Sequence, residues 1–149
     1  MNPWVPERLR TPMETVDLLK QTPLFSEMDK ADLEELVPST RLETYEPGHV
    51  IIREGRVGAA FFLIVSGTVE VIKALGKPDE RVVAERGAGD FFGEIASMRH
   101  STRTASVRAL TETQCLVIQR LHIDSYIKRF PIVLAKVELA LDANSDDRD

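Results

Sequence analysis

All eight glycines of this 149-residue chain fall between Gly48 and Gly93, and neither end contains one. Glycine serves positions that need positive φ or a close backbone approach. Turns therefore crowd into the middle of the chain, while both ends are free to be helical. The apolar residues of the middle come in short β-branched or aromatic runs. These are Val50-Ile51-Ile52, Phe61 to Val65, Val69-Glu70-Val71-Ile72, Val82-Val83, Ala105 to Leu110 and Cys115 to Ile118. Short runs spaced by turn residues are the pattern of an all-β sandwich or barrel. Ser66-Gly67, between two of them, predicts a tight hairpin.

The ends read differently. Thr11-Pro12-Met13-Glu14 opens a helix, with Thr11 as cap and Pro12 at the first helical position; Pro23 stops it. A second helix is predicted from about Asp29 to Val37, with Leu33, Leu36 and Val37 on one face and Pro38 as terminator. From Arg41 the strand pattern takes over. After Arg120, Ile123, Tyr126, Ile127 and Phe130 follow helical spacing, without a good capping residue at the start. Pro131 breaks or restarts the helix, and Leu134, Val137 and Leu141 mark a last amphipathic one. The expected division is an extension over 1–10, one domain over 11–142 and a disordered acidic tail over 143–149. Within the domain, helices occupy 11–38, strands 41–120 and helices 121–142.

Composition narrows the function classes. A net charge of −5 argues against a nucleic-acid surface, which needs a broad basic face. No apolar run approaches a membrane span, and the proline-broken start lacks the apolar centre of a signal peptide. Cys115 has no partner for an internal disulfide, and a small buried core position suits it better than a nucleophile's role. His49, His100 and His122 show no metal-ligand spacing, which disfavours a metalloenzyme on a similar roll. No nucleophile–base pair or Gly-x-Ser-x-Gly elbow is present. A cytoplasmic, metal-free, non-catalytic domain is expected.

The chemistry concentrates in GDFFGEIASMRHSTRTASVRA, Gly89 to Ala109. Phe91 and Phe92 end a short strand, Gly93 turns, and Glu94 to Met98 can form one or two helical turns. A glycine before exposed helix-terminal N–H groups admits an anion. Arg103 returns ten residues later with a guanidinium fork. A carboxylate at Glu94 would repel a phosphate unless it accepts from another group, and a ribose hydroxyl is such a donor. One arginine, with no P-loop lysine and no acid pair for Mg²⁺, does not make a triphosphate site. The same residues also fit a capped helix carrying a surface salt bridge, which contributes little. Residue types alone leave both readings open.

Phe92-Gly93-Glu94-Ile95-Ala96, followed by Arg103-Thr104-Ala105, resembles the phosphate-binding cassette of the cyclic nucleotide-binding domain family. The likeness runs from about Leu18 to Leu141. It takes in Leu24-Phe25, Tyr45-Glu46-Pro47-Gly48, Ile52 with Glu54-Gly55, Phe62-Leu63-Ile64, Ser66-Gly67 and Gly89-Asp90-Phe91-Phe92. The resemblance implies a mainly β fold with flanking helices. Its core would be an eight-stranded antiparallel jelly-roll barrel, with helices before it and two helices after it. It implies that Arg103 pairs with the exocyclic oxygens of a cyclic phosphate and that Glu94 accepts from the ribose 2′-hydroxyl. Gly93 and the N–H groups of Ile95, Ala96 and Ala105 would lie near the sugar and phosphate. Thr104 stands where some members contact guanine, but it also occurs in domains that respond to cyclic AMP. The helix of Leu134, Val137 and Leu141 would be a lid over the base.

The function so implied is a sensor domain for cyclic AMP or cyclic GMP, needing no cofactor. It would signal through movement of its C-terminal helices to an effector protein, or to a second copy bound through the terminal helices. The alternative is an interaction module on the same fold that has lost nucleotide binding. Two departures bear on the cassette. Ser97 stands where the family more often has an apolar residue, and Thr102 where it often has proline or a small one. After Phe130 the lid offers no aromatic residue, and its one arginine is Arg148.

Overall fold

The structure, a computed structural model, describes residues 12–56, 58–93 and 105–143. Among these residues the helices are α1 (Pro12–Lys20), α2 (Lys30–Leu36), α3 (Arg120–Arg129) and α4 (Pro131–Ala143). The strands are β1 (Thr40–Tyr45), β2 (Val50–Ile52), β3 (Ala60–Ser66), β4 (Thr68–Lys73), β5 (Arg81–Gly87), β6 (Phe91–Gly93), β7 (Ser106–Ala109) and β8 (Thr113–Gln119). They form two antiparallel sheets, the first ordered β1-β8-β3-β6 and the second β2-β7-β4-β5. Every consecutive pair of strands except β4 and β5 is split between the sheets, which is a jelly-roll path. No pairing joins the two sheets among the described residues, so the expected barrel is a two-sheet roll without closure.

Burial explains the two kinds of strand sequence. In the first sheet, Phe61 and Leu63 of β3 face a core shared with Leu19, Phe25, Leu33, Leu36, Ile123, Ile127 and Val133 of the helical segments. Phe62 and Ile64 of the same strand face a second core between the sheets, with Val69, Val71, Val107, Cys115 and Val117. A strand buried on both faces reads as an unbroken apolar run, and AFFLIVS does. Each fully buried side chain of this size stabilises by about 1.5–3 kcal/mol. In the second sheet β4 alternates only from Thr68 to Val71 and then buries Ile72 and Lys73 as well, and β7 buries every residue but Arg108. Glu70 lies opposite Arg108, and both Nε and Nη2 of Arg108 donate to Glu70 Oε1, at 2.9 and 2.6 Å.

The expected hairpin at Ser66-Gly67 is a correction. β3 and β4 do not pair; Gly67 is the corner where the chain leaves one sheet for the other. It has φ +88°, and a Cβ there would lie 2.2 Å from the carbonyl oxygen of Glu112. Glycine is needed at this corner because another backbone passes through the space a side chain would fill. The true hairpin joins β4 to β5 across residues 74–80.

Polar side chains of the C-terminal helices hold them onto the N-terminal helical segment. Tyr126 Oη donates to the Asp32 carbonyl at 2.8 Å. Arg129 Nη2 meets Glu35 Oε1 at 2.6 Å. Lys136 Nζ donates to the Pro23 carbonyl at 2.8 Å and meets Glu27 Oε2 at 2.7 Å. The start of α3 has no side-chain cap, as its sequence predicts. Instead the Arg120 N–H donates to the Ala59 carbonyl just before β3, at 2.8 Å.

Candidate functional site

The turn Gly87-Ala88-Gly89-Asp90 carries the chain from β5, on the edge of the second sheet, to β6, on the edge of the first. Asp90 Oδ2 accepts from the Gly87 N–H at 2.9 Å, a local turn bond typical of aspartate. The Gly89 N–H donates to Ile64 O at 2.8 Å, and the Ile64 N–H donates to Asp90 O at 2.9 Å. These bonds seat β6 on β3. Phe92 then stacks on Phe62 with centroids 4.8 Å apart, inside the between-sheet core. Gly93 ends the strand with φ +102°, and a Cβ there would lie 2.4 Å from the Ala60 carbonyl oxygen. The backbone at Gly93 is therefore pressed against β3 and turned into a region that L side chains avoid.

Ala105 marks the other end of the expected cassette. It is buried in the between-sheet core and leads directly into β7 of the second sheet. The next residue, Ser106, is buried and accepts from the Glu54 N–H at 3.0 Å. Glu54 Oε1 in turn accepts from the Ala74 N–H at 2.9 Å. One glutamate thus ties the β2–β3 loop, the β4–β5 turn and the exit of the cassette together. The sequence carried this only as the Glu54-Gly55 part of the resemblance; Ser106 gave no signal of its own.

Phe92-Gly93 and Ala105, from opposite sheets, thus stand at the two ends of the expected cassette, with Phe92 and Ala105 against one core. Glu94, Ile95, Ala96, Arg103 and Thr104 lie outside the described residues, as do Ser97, His100 and Thr102. The residues expected to form a lid sit elsewhere. Val137 is 1% exposed in the core between the first sheet and the helices, and Leu134 packs against that core. Leu141 belongs to the last turn of α4 by its backbone. In this arrangement α4 is docked on the Pro23–Glu27 segment.

Burial shifts two titratable groups of the scaffold, Cys115 and Tyr126. Burial pushes the Cys115 thiol up to about 12, so it is an inert core residue, as its setting in the sequence suggests. Tyr126 is also raised, by burial first and then by the carboxylates of Asp32 and Glu35, against the opposing pull of Arg129. Its hydroxyl stays protonated and able to donate. Among the described residues no group of three His, Cys, Asp or Glu could hold a metal ion. No described helix is long and apolar enough to cross a membrane.

The family model for the cyclic nucleotide-binding domain matches residues 42–130. The human potassium/sodium hyperpolarization-activated cyclic nucleotide-gated channel 3 is 32% identical over 78% of this chain and 14% of its own length. The cAMP-dependent protein kinase regulatory subunit of Schizosaccharomyces pombe is 36% identical over 63% of this chain and 22% of its own. The chain thus spans less than a quarter of either relative. Among solved structures, a triple variant of the regulatory subunit of a cAMP-independent protein kinase A from Trypanosoma brucei superposes with a TM-score of 0.77. It is 25% identical, over 87% of this chain and 47% of that one, and is bound to cAMP in its A site. The jelly-roll path, the Gly93 turn and these matches agree, and the chain belongs to the cyclic nucleotide-binding domain family.

Proposed function

We propose that this domain is a cyclic AMP or cyclic GMP sensor without catalytic activity, binding its ligand between the two sheets. The observation that supports the reading is that Phe92-Gly93 and Ala105, from opposite sheets, stand at the two ends of the expected cassette, with Phe92 and Ala105 against one shared core. In this reading the Arg103 guanidinium pairs with the exocyclic phosphate oxygens, and Glu94 accepts from the ribose 2′-hydroxyl. The N–H groups of Ile95, Ala96 and Ala105 complete the cradle, and the base rests on apolar between-sheet residues. Three or four charge-assisted contacts of about 1.5–3 kcal/mol each, less the cost of immobilisation, correspond to micromolar affinity.

Binding would be read out through α4. Leu134, Val137 and Leu141 form the lid in this account, so α4 must leave its dock on Pro23–Glu27 to reach the base. Ligand drives that movement only as far as it binds the closed form more tightly. The partner is then an effector protein, or a second copy through the terminal helices.

Calorimetric titration of cyclic AMP and cyclic GMP into the native protein and into Arg103→Glu tests the reading. Saturable micromolar binding, weakened at least about 100-fold in the variant, is expected from losing a charge-assisted pair and adding a like charge. Absence of saturable heat from either nucleotide with the native protein would favour the non-binding interaction module instead.

A further inference from the structure

α4 has an outer face that packing within the domain does not account for. Its sequence, PIVLAKVELALDA, carries only Lys136, Glu138 and Asp142 as charged residues. Val133 and Val137 are buried in the core between the first sheet and the helices, which accounts for one side. Ile132, Ala135 and Leu139 follow i, i+3 and i+7 spacing on the opposite side. All three are exposed, Ile132 at 44% and Leu139 at 69%. Single exposed leucines are ordinary, but an apolar stripe aligned along a helix marks a docking surface. A helix that is apolar on both sides is one that is covered on both sides.

The chain itself supplies an occupant of the right reach and chemistry. Residues 1–11 precede α1 and lie outside the described residues; their sequence, MNPWVPERLRT, contains Trp4, Val5 and Leu9 as apolar anchors. α1 starts at Pro12 and packs Val16 and Leu19 into the same core as Val133 and Val137 of α4. At the other end of α1, Lys20 Nζ donates to the Met28 carbonyl, across the turn whose Pro23 and Glu27 hold Lys136 of α4. Nine residues make α1 about 14 Å long, and the stripe from Ile132 to Leu139 covers about 10 Å. The eleven residues before Pro12 reach about 36 Å when extended, enough to arrive at the stripe and run along it.

Charge agrees with this pairing. In the segment Arg8 and Arg10 outnumber Glu7, while the exposed charge beside the stripe is Glu138. Lys136, on the other flank, is already engaged by Glu27 and the Pro23 carbonyl. Pro3 and Pro6 restrict the segment's backbone, so less conformational freedom is lost when it lies on a surface.

We propose that residues 1–10 dock on the outer face of α4, with Trp4 seated on the stripe of Ile132, Ala135 and Leu139. Ala135 stands between two larger side chains and leaves room for a flat ring. An indole buries about 150–250 Å² on its own, a match for a stripe of three residues. The segment then acts as a strap that adds to the Lys136 contacts holding α4 in place. The inference goes beyond the nucleotide reading and does not depend on it, because the stripe and the segment belong to the chain with or without a ligand.

Trp4 is the only tryptophan, so its fluorescence reports on the segment directly. The native protein should emit as a shielded indole and resist quenching by acrylamide. Ile132→Gln and Leu139→Gln change exposed side chains and leave the core intact. Each should shift the emission to the red and raise quenching several-fold, toward that of the chain unfolded in urea. Val82→Gln, at an exposed apolar position on β5, should change neither. Quenching in the native protein equal to that in urea would overturn the proposal, and so would a shielded Trp4 that neither α4 variant exposes. Sedimentation of the same samples identifies a rival occupant. A native dimer that Leu139→Gln converts to monomer would give the stripe to a second copy of the chain and overturn the strap, whereas a monomer whose Trp4 is exposed by Leu139→Gln supports it.

Discussion

Gly67 and Gly48 share nearly the same backbone geometry, φ +88° and φ +89°, but differ in what surrounds them. A Cβ at Gly48 meets nothing within 4 Å, whereas at Gly67 it strikes the Glu112 carbonyl oxygen and the Thr113 backbone. Gly48→Ala should therefore cost about 1 kcal/mol of backbone strain alone. Gly67→Ala should cost clearly more, because backbone cannot move aside as a side chain can. Urea unfolding of the two variants checks this, and equal losses would contradict the account of Gly67 as a sheet-to-sheet corner. Cys115 offers a second residue-level check. Its raised pKa means that above the ordinary thiol value near 9 the unfolded chain loses a proton that the folded chain keeps. The unfolded state then binds fewer protons, so stability falls as pH rises. The slope from this group is about 1.4 kcal/mol per pH unit between roughly 9 and 12. A Cys115→Ala variant should lose that component of the alkaline slope, and an unchanged slope would count against the burial of the thiol.

Between elements, the helices hold two positions in this account, and the polar contacts of α3 and α4 set the balance. Tyr126→Phe removes the bond to the Asp32 carbonyl while keeping the ring packed against Phe25 and Phe130. A loss of about 1 kcal/mol is expected, with faster amide exchange in α3. Lys136→Met removes the contacts to Pro23 and Glu27 that dock α4. If α4 is the lid, weakening the dock raises the fraction of binding-competent molecules, and apparent cyclic nucleotide affinity should rise by a few-fold. Unchanged or lower affinity would show that α4 does not compete between dock and lid. Helix positions were legible because Pro23, Pro38 and Pro131 punctuate them and apolar spacing marks their faces. β1 was much less so: TRLETY buries only Leu42, and pairing with β8 rather than an apolar run makes it a strand. The polar bolts were not legible at all, since each joins groups tens of residues apart.

The molecule as a whole is two cores separated by one sheet, and the sequence announces that arrangement through contrast. Phe61 to Val65 is continuous because both its faces are covered, while Val69-Glu70-Val71 is interrupted by a glutamate that pairs with Arg108 on the neighbouring strand. Jelly-roll order could not be read from such runs. It depends on which strands pair, and the Ser66-Gly67 corner looks locally like a hairpin although its strands part. The expected cassette could be proposed as a motif because glycine, acid and arginine spacings are local, although Glu94 and Arg103 lie outside the described residues. The most direct measurement is a crystal structure of the complex with cyclic AMP or cyclic GMP. The ligand phosphate should lie between Gly93 and Ala105, within hydrogen-bonding distance of the Arg103 guanidinium, with its ribose on Glu94. A nucleotide bound on an outer face of either sheet, or an Arg103 side chain extended into bulk water beside a filled core, would contradict the account.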